Sequence, residues 1–256
     1  MELVRIKSVI FDVDGVLIRG KTPTEGAVET VRKVRENYKT FVLSNNSSHS
    51  RSSYAKLLRG MGFDFSEKEI YVSSYGVAVY LKNRFKPTSV YTITGGGLAE
   101  EIEKMGFEIK EGKEGEKAEI VAVGFDTTLN YEKLSIAFRA IKNGAFFIAS
   151  NQDRFYPVED GELPGAGLTV RGLEFATGVK PVVIGKPERF VLDLLLKENG
   201  LKKDEVLVVG DSEETDIRMA RRMRVRSVLI GKAKRYKPTY EIEKIEILTD
   251  VLHKLE

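Results

Sequence analysis

The chain has 256 residues, 42% of them hydrophobic, enough to fill one large core or two modest ones. Its 41 Lys+Arg against 38 Asp+Glu leave a net charge of only +3, so no global charge draws it to nucleic acid or to a membrane surface. The absence of cysteine excludes a disulfide framework, a thiol nucleophile and a cysteine-built zinc site. Apolar runs such as AFFIAS are far too short to span a bilayer and MELVRIK lacks a signal-peptide core, which points to the cytoplasm. Charged residues at 31% and a single glutamine, Gln152, match the amide-poor style of heat-adapted chains.

The first predicted element is the strand SVIF, residues 8–11, which runs straight into Asp12 and Asp14. An amphipathic helix GAVETVRKVREN, a strand KTFVLS, a helix RSSYAKLLRGMG and a strand EIYVSS follow. Short apolar runs alternating with longer amphipathic ones predict βαβ units and a parallel sheet buried on both faces. Residues 76–180 carry their own strands and helices (SVYTIT, LAEEIEKMG, EIVAVGFD, YEKLSIAFRAIKNG, AFFIAS) and read as an inserted α/β domain. The first pattern then returns as KPVVIG, RFVLDLLLKENG, DEVLVVGD, EETDIRMARRM, VRSVLIG and IEILTDVLHKL. The expected fold is therefore α/β: a Rossmann-like parallel-sheet core from residues 1–75 and 181–256, interrupted by a smaller domain.

Four places at predicted strand ends could carry chemistry. Ligands of an open parallel sheet bind beyond the carboxyl ends of its strands, and residues two apart leave a strand toward the same side, so Asp12 and Asp14 can converge on one point. Gly15 frees the turn behind them; taken alone, Asp-Val-Asp-Gly fits a simple turn equally well, and an EF-hand fails at Val16 and Leu17. Ser44, Asn45 and Asn46 precede a helix and fit both an N-cap and an anion site. Lys186 follows a strand and stands before Pro187, where a solvated surface lysine is the plain alternative. Asp211 and Asp216, with Glu213 and Glu214 between them, sit where acids also favour a helix N-terminus.

Together the four places balance. Asp12, Asp14, Asp211 and Asp216 would gather up to four negative charges, and unit charges about 4 Å apart repel by roughly 4 kcal/mol at an effective dielectric of about 20. Such a cluster calls for a cation, and oxygen-only ligands favour Mg2+ over zinc. Lys186 adds the positive charge that lets a phosphate dianion approach a carboxylate, so the natural chemistry is phosphoryl transfer to an aspartate.

These residues resemble the motifs of the haloacid dehalogenase-like (HAD) superfamily: DVDGVL as the first, Ser44 of LSNNSS as the second, Lys186 of GKP as the third and GDSEETD as the fourth. The middle (VGFD, NGAFFIASNQD, PGAGLTV, ATGVKPVVIGKP) is similar to the large C2-type cap of subfamily IIA, the NagD-like, 4-nitrophenylphosphatase and phosphoglycolate or pyridoxal phosphatase branch. The resemblance implies a Mg2+-dependent phosphatase acting on small phosphomonoesters. Asp12 would be nucleophile and metal ligand, and Asp14 the acid and base, with its backbone carbonyl on the metal. Ser44, Asn45 and Asn46 would hold phosphate, Lys186 would neutralise it, Asp211 would ligate Mg2+, and Asp216 would orient water or Lys186. Asn151 and Asp153 of the cap would select the leaving group, and the partner would be a small phosphorylated metabolite, not nucleic acid or membrane. Members of this cap class often dimerise through the cap, so a homodimer is an expectation.

Two departures stand out: Ser44 where threonine is commoner, and Arg222 where the family usually has the glycine that ends the helix. Arginines 218, 221, 222, 224 and 226 read as an exposed charged helix face rather than a nucleic-acid patch, and TGGG at 94–97 as a strand-to-helix turn rather than a nucleotide finger. A dehalogenase is disfavoured by Asp14; a phosphomutase or phosphotransferase on the same core, or a non-catalytic phosphate-binding regulator, are the alternatives. Neither His49 nor His253 stands in a triad pattern.

Overall fold

The computed structural model describes residues 5–158 and 161–255. The elements begin with β1 (Ser8–Phe11), β2 (Ile18–Arg19), β3 (Thr22–Pro23), α1 (Ala27–Asn37), β4 (Lys39–Ser44), α2 (Arg51–Gly60), β5 (Ile70–Val72) and α3 (Ser73–Arg84). Next come β6 (Ser89–Ile93), α4 (Gly97–Lys104), β7 (Glu108–Lys110), β8 (Ile120–Val123), α5 (Tyr131–Lys142) and β9 (Phe146–Ala149). An antiparallel pair, β10 (Phe155–Val158) and β11 (Gly161–Pro164), leads to α6 (Gly167–Thr177) and β12 (Val182–Val183). The last run is α7 (Phe190–Glu198), β13 (Val206–Gly210), α8 (Arg218–Met223), β14 (Arg226–Ile230), β15 (Tyr240–Ile242) and α9 (Leu248–His253). No helix among the described residues is long and apolar enough to cross a membrane.

Two parallel sheets organise these elements. The first has six strands in the order β15-β14-β13-β1-β4-β5. Every residue of β1 and of β13 is buried, which is why both read as unbroken apolar runs. α1 buries Ala27, Thr30, Val31 and Val34, one face at helical spacing. The second sheet has five strands in the order β12-β9-β8-β6-β7. Its strands alternate between two cores: Ile120 and Ala122 join the large core shared with the first sheet, while Val121 and Val123 pack with Ile136, Ala140 and Val170 beneath α5 and α6.

Two elements lie across the expected boundaries. The break between residues 75 and 76 falls inside α3, and the second sheet begins only at Ser89. Val182 and Val183 of KPVVIG, expected in the core sheet, pair with Ile148 and Ala149 of the second sheet instead. A short β-branched run has no marker of which sheet it edges, so its partner is decided by tertiary packing.

The helix-ending departure also moves. Arg222 is an ordinary exposed residue of α8, whereas Arg224 closes the helix in the left-handed conformation, φ 58° and ψ 42°. The residue standing where glycine would be easiest is therefore Arg224, two places later. A left-handed L-residue carries a cost that glycine avoids, so Arg224→Gly is expected to stabilise the protein by about 1 kcal/mol, net of glycine's backbone entropy. For a chain of this size that is a rise in Tm of roughly 2–4 °C, read by calorimetry; an unchanged or lowered Tm would contradict it.

Candidate active site

β1 lies between β4 and β13, with Phe11 opposite both Val42 and Val209. This register brings the ends of the three strands together where the chain order reverses, the usual place for a ligand on an open sheet. Asp12 is 9% exposed and donates its backbone N–H to Val209 O at 2.8 Å. After it the chain reverses: Val13 O accepts from Leu17 N (2.8 Å) and Ile18 N (3.0 Å), and Gly15 N donates to Ile18 O (2.7 Å). The turn's bonds use Val13 and Gly15 rather than Asp14, whose side chain is half-buried. Gly15 has φ +89°, and a Cβ there would fall 1.8 Å from Asp211 Oδ2. Glycine is thus required twice over, for its backbone and for the approach of Asp211.

Lys186 is buried, and its ammonium spends its three donors on Asp12 Oδ1 (2.6 Å), Asp216 Oδ1 (2.7 Å) and Leu43 O (3.2 Å). Burial alone would lower its pKa; the carboxylates of Asp12 and Asp216 override that and hold it above the usual lysine value. Asp12 is pushed well up, first by burial and then by the charge of Asp216, with Lys186 opposing. Asp211, at the exposed mouth, is pushed up to about 7 by partial burial of its carboxyl and by Asp216, and Asp14 is raised by burial.

Asp216 reaches this point through a widened helical turn over Glu213–Ile217, in which Ser212 O accepts from both Asp216 N (3.0 Å) and Ile217 N (3.2 Å). The carboxylate folds back so far that a Cβ on Gly210 would meet Asp216 Cγ at 2.3 Å. Asp12, Asp211 and Asp216 each offer one carboxylate oxygen, all within 4.8 Å of one another. An all-oxygen set with more negative charge than one lysine offsets fits a hard divalent cation such as Mg2+. The Asp14 carboxylate lies outside that trio.

The loop after β4 departs most from expectation. Ser44 is buried, and its Oγ accepts the Asn46 N–H at 3.0 Å. The cap of α2 is not Ser44, Asn45 or Asn46 but Ser50, whose side chain accepts from Ser53 N. Asn46 Oδ1 accepts from Ser48 N (3.0 Å) and His49 N (3.2 Å) and so shapes its own loop. The Asn45 side chain, expected on phosphate, clamps the backbone of Lys186: Oδ1 accepts from Lys186 N (2.7 Å) and Nδ2 donates to Lys186 O (2.9 Å). Its Nδ2 also meets both carboxylate oxygens of Asp153, at 3.0 and 2.9 Å.

Asn151, expected to select the leaving group, is 4% exposed and donates to Asn45 O at 2.7 Å while accepting from Asp153 N at 3.0 Å. Its side chain is spent on holding two loops together. Asp153 remains half-buried, with its carboxyl raised to about 6 by burial against the opposing Asn45 bond; Lys186, Asp216 and Asp14 all act on its charge. The loop is fastened to segments next to the second sheet as well: Gly97 N and Leu98 N donate to Ser48 O (3.0 Å) and Ser47 O (3.1 Å), and Phe125 N to Ser47 Oγ (2.8 Å). The TGGG turn is thus the strand-to-helix turn expected, and it docks on the core loop. The sequence points to Asn45 but not to its distant partners Lys186 and Asp153, and it does not show the widened turn over Glu213–Ile217.

Comparison with known proteins agrees with the motifs. A model of haloacid dehalogenase-like hydrolases matches residues 9–108, and a second HAD-hydrolase-like model matches 183–254. The chain is 34% identical over 241 residues to the 5′-nucleotidase YutF of Bacillus subtilis, covering 93% of each. It superposes on p-nitrophenyl phosphatase from Archaeoglobus fulgidus with a TM-score of 0.87 at 32% identity, over 97% of this chain and 100% of that one. It superposes on glycerol phosphate phosphatase from Mycobacterium tuberculosis, solved in complex with magnesium, with a TM-score of 0.86 at 28% identity, over 95% of this chain and 76% of that one. With its parallel core, its strand-end aspartates and relatives that match nearly its whole length, the chain belongs to the haloacid dehalogenase-like hydrolases, in the NagD-like subfamily IIA.

Proposed function

We propose that this phosphoric monoester hydrolase is Mg2+-dependent and hydrolyses small phosphomonoesters through a phospho-Asp12 intermediate. The observation that carries this is the pairing of Asp12 with Lys186 at 2.6 Å inside an acidic cluster, with a second acid, Asp14, at the open side. Asp12 is the nucleophile: one carboxylate oxygen is fixed by Lys186, and the other forms the P–O bond as the ester P–O bond breaks. Asp14, raised by burial, can carry the proton that the departing alkoxide takes up. The same carboxylate, now ionised, takes a proton from the water that attacks the acyl phosphate, releasing inorganic phosphate and restoring Asp12. Ser44 and the backbone of its loop hold the phosphate oxygens, and Asn45 keeps Lys186 in place from behind. Asp12, Asp211 and Asp216, with the Asp14 carbonyl, would hold Mg2+, which when bound neutralises phosphate charge.

The segment of residues 89–183 reaches the site through Asp153, whose carboxylate accepts from Asn45 Nδ2. Its neighbours in structure and sequence carry names for nucleotide, glycerol phosphate and p-nitrophenyl phosphate hydrolysis, which supports a small phosphomonoester as the substrate class. The test is inorganic phosphate release from 4-nitrophenyl phosphate with Mg2+ and after chelation. Turnover is expected to fall by roughly 100-fold or more without the ion. Undiminished turnover in a chelator would overturn the metal assignment, and phosphate transfer between two positions of one sugar, with no free phosphate, would point to a mutase.

A further inference from the structure

Tyr54, on α2, is a large side chain that the chemistry above leaves unused. It is 1% exposed, and among the described residues its hydroxyl meets no partner at hydrogen-bonding geometry. The Ser44 hydroxyl is near enough to act on the phenol, though not at full hydrogen-bonding geometry, and the charges of Asp14 and Asp12 act on it too. Its ring lies stacked on His49, with centroids 5.3 Å apart and planes 12° from parallel. His49 is itself tied down: its N–H reaches Asn46 Oδ1 at 3.2 Å and its carbonyl accepts from Ser74 Oγ at 2.8 Å. The phenol is therefore held, at a fixed angle, beside the loop that the proposed function assigns to phosphate.

We propose that Tyr54 is a positioning residue for Ser44: its hydroxyl donates to Ser44 Oγ when phosphate is bound, and this turns the Ser44 hydrogen toward the phosphate. The inference rests on the assignment of Ser44 to phosphate binding. The donor count supports it. A serine oxygen has two lone pairs and one hydrogen. The Asn46 N–H fills one lone pair at 3.0 Å. A donor on the second leaves Ser44 only its own hydrogen to offer, which in the proposed complex goes to the phosphate. Burial pushes the Tyr54 phenol far above its usual range, so it stays protonated and keeps a hydrogen to donate. A hydroxyl buried without a partner is unfavourable, and phenylalanine would fill the same space without it.

That contrast gives the test. Hydrolysis of 4-nitrophenyl phosphate and its competitive inhibition by inorganic phosphate are measured for wild type, Tyr54→Phe, Ser44→Ala and the double variant, with thermal unfolding of each. Tyr54→Phe is expected to raise KM and the inhibition constant for phosphate about fivefold while kcat changes less than about twofold, because the bond serves bound phosphate in ground and transition states alike. In the Ser44→Ala background the same change is expected to add nothing. Unchanged KM and phosphate inhibition in a Tyr54→Phe protein of equal or higher Tm would overturn the inference, since that is what a packing residue gives. If Tyr54→Phe does not fold, a wild-type crystal with Mg2+ and inorganic phosphate decides: Tyr54 Oη within about 3 Å of Ser44 Oγ supports it, and an unpartnered hydroxyl refutes it. Wild-type protein that hydrolyses nothing would count against the proposed function instead, and calorimetric phosphate affinity would still read Tyr54.

Discussion

Asp12→Asn is expected to remove turnover by roughly four orders of magnitude or more while leaving the protein folded. The amide has the shape of the carboxylate and keeps an oxygen for Lys186, which now sits 2.6 Å from Asp12 Oδ1. It cannot form an acyl phosphate, so no labelled protein should survive an acid quench. Stability is expected to move the other way. Asp12 is pushed up first by burial and then by Asp216, so its ionised form is disfavoured in the fold. A carboxyl whose folded-state pKa lies above its unfolded value binds more protons when folded, and its contribution to stability declines as pH rises from the unfolded value of about 4. Asparagine has no such decline. In a chelator, the variant should therefore match or exceed wild type at pH 8, and the advantage should shrink toward pH 4. Thermal unfolding at the two ends, beside the kinetic assay, checks both halves. Activity within tenfold of wild type would falsify the nucleophile assignment.

What the sequence could and could not carry follows from the range of the forces involved. The buried strands SVIF and VLVVG were legible because a parallel strand covered on both faces must be apolar throughout. Asp12, Asp211, Asp216 and Lys186 were legible because a strand end in such a sheet points to one region, and their charges make sense only when brought together. Asn45 was assigned to phosphate, yet its amide faces Lys186 and Asp153, residues far along the chain whose approach no local pattern encodes. The Asn151 side chain likewise meets partners that no local pattern encodes, among them the Asn45 carbonyl. The left-handed helix end lies at Arg224 and not at Arg222, and no glycine in the sequence marks it. Val182 and Val183 could edge either sheet; only the position of β9 decides.

Lys186→Met should cost more stability than any other single change at the site. The substitution keeps length and apolar stem but removes the donor to Asp12, Asp216 and the Leu43 carbonyl, leaving two buried carboxylates without a cation. Removing one partner of a buried ion pair typically costs about 3–5 kcal/mol, which for a chain of this size lowers Tm by roughly 10 °C. The pH dependence separates this from lost packing. In wild type the folded-state pKa of Lys186 lies above its unfolded value, so its contribution is fully present below about pH 10 and stays constant from pH 5 to 9. In the variant the opposing influence of Lys186 on Asp12 is gone and the Asp12 carboxyl rises further. Protonation as pH falls through that raised value then neutralises one orphaned charge, so the deficit should be largest at pH 8 and smaller at pH 5. A cavity would give the same deficit at both. Urea unfolding in a chelator at these two values, for the methionine variant and for Lys186→Arg, reads the difference. Arginine restores charge but not a compact three-way donor, and should recover stability only in part and little of the roughly thousandfold loss in kcat expected of either change. Equal stability of wild type and Lys186→Met at pH 8 would mean that the acidic cluster is relieved by something other than this lysine, and the charge balance proposed for the site would have to be redrawn.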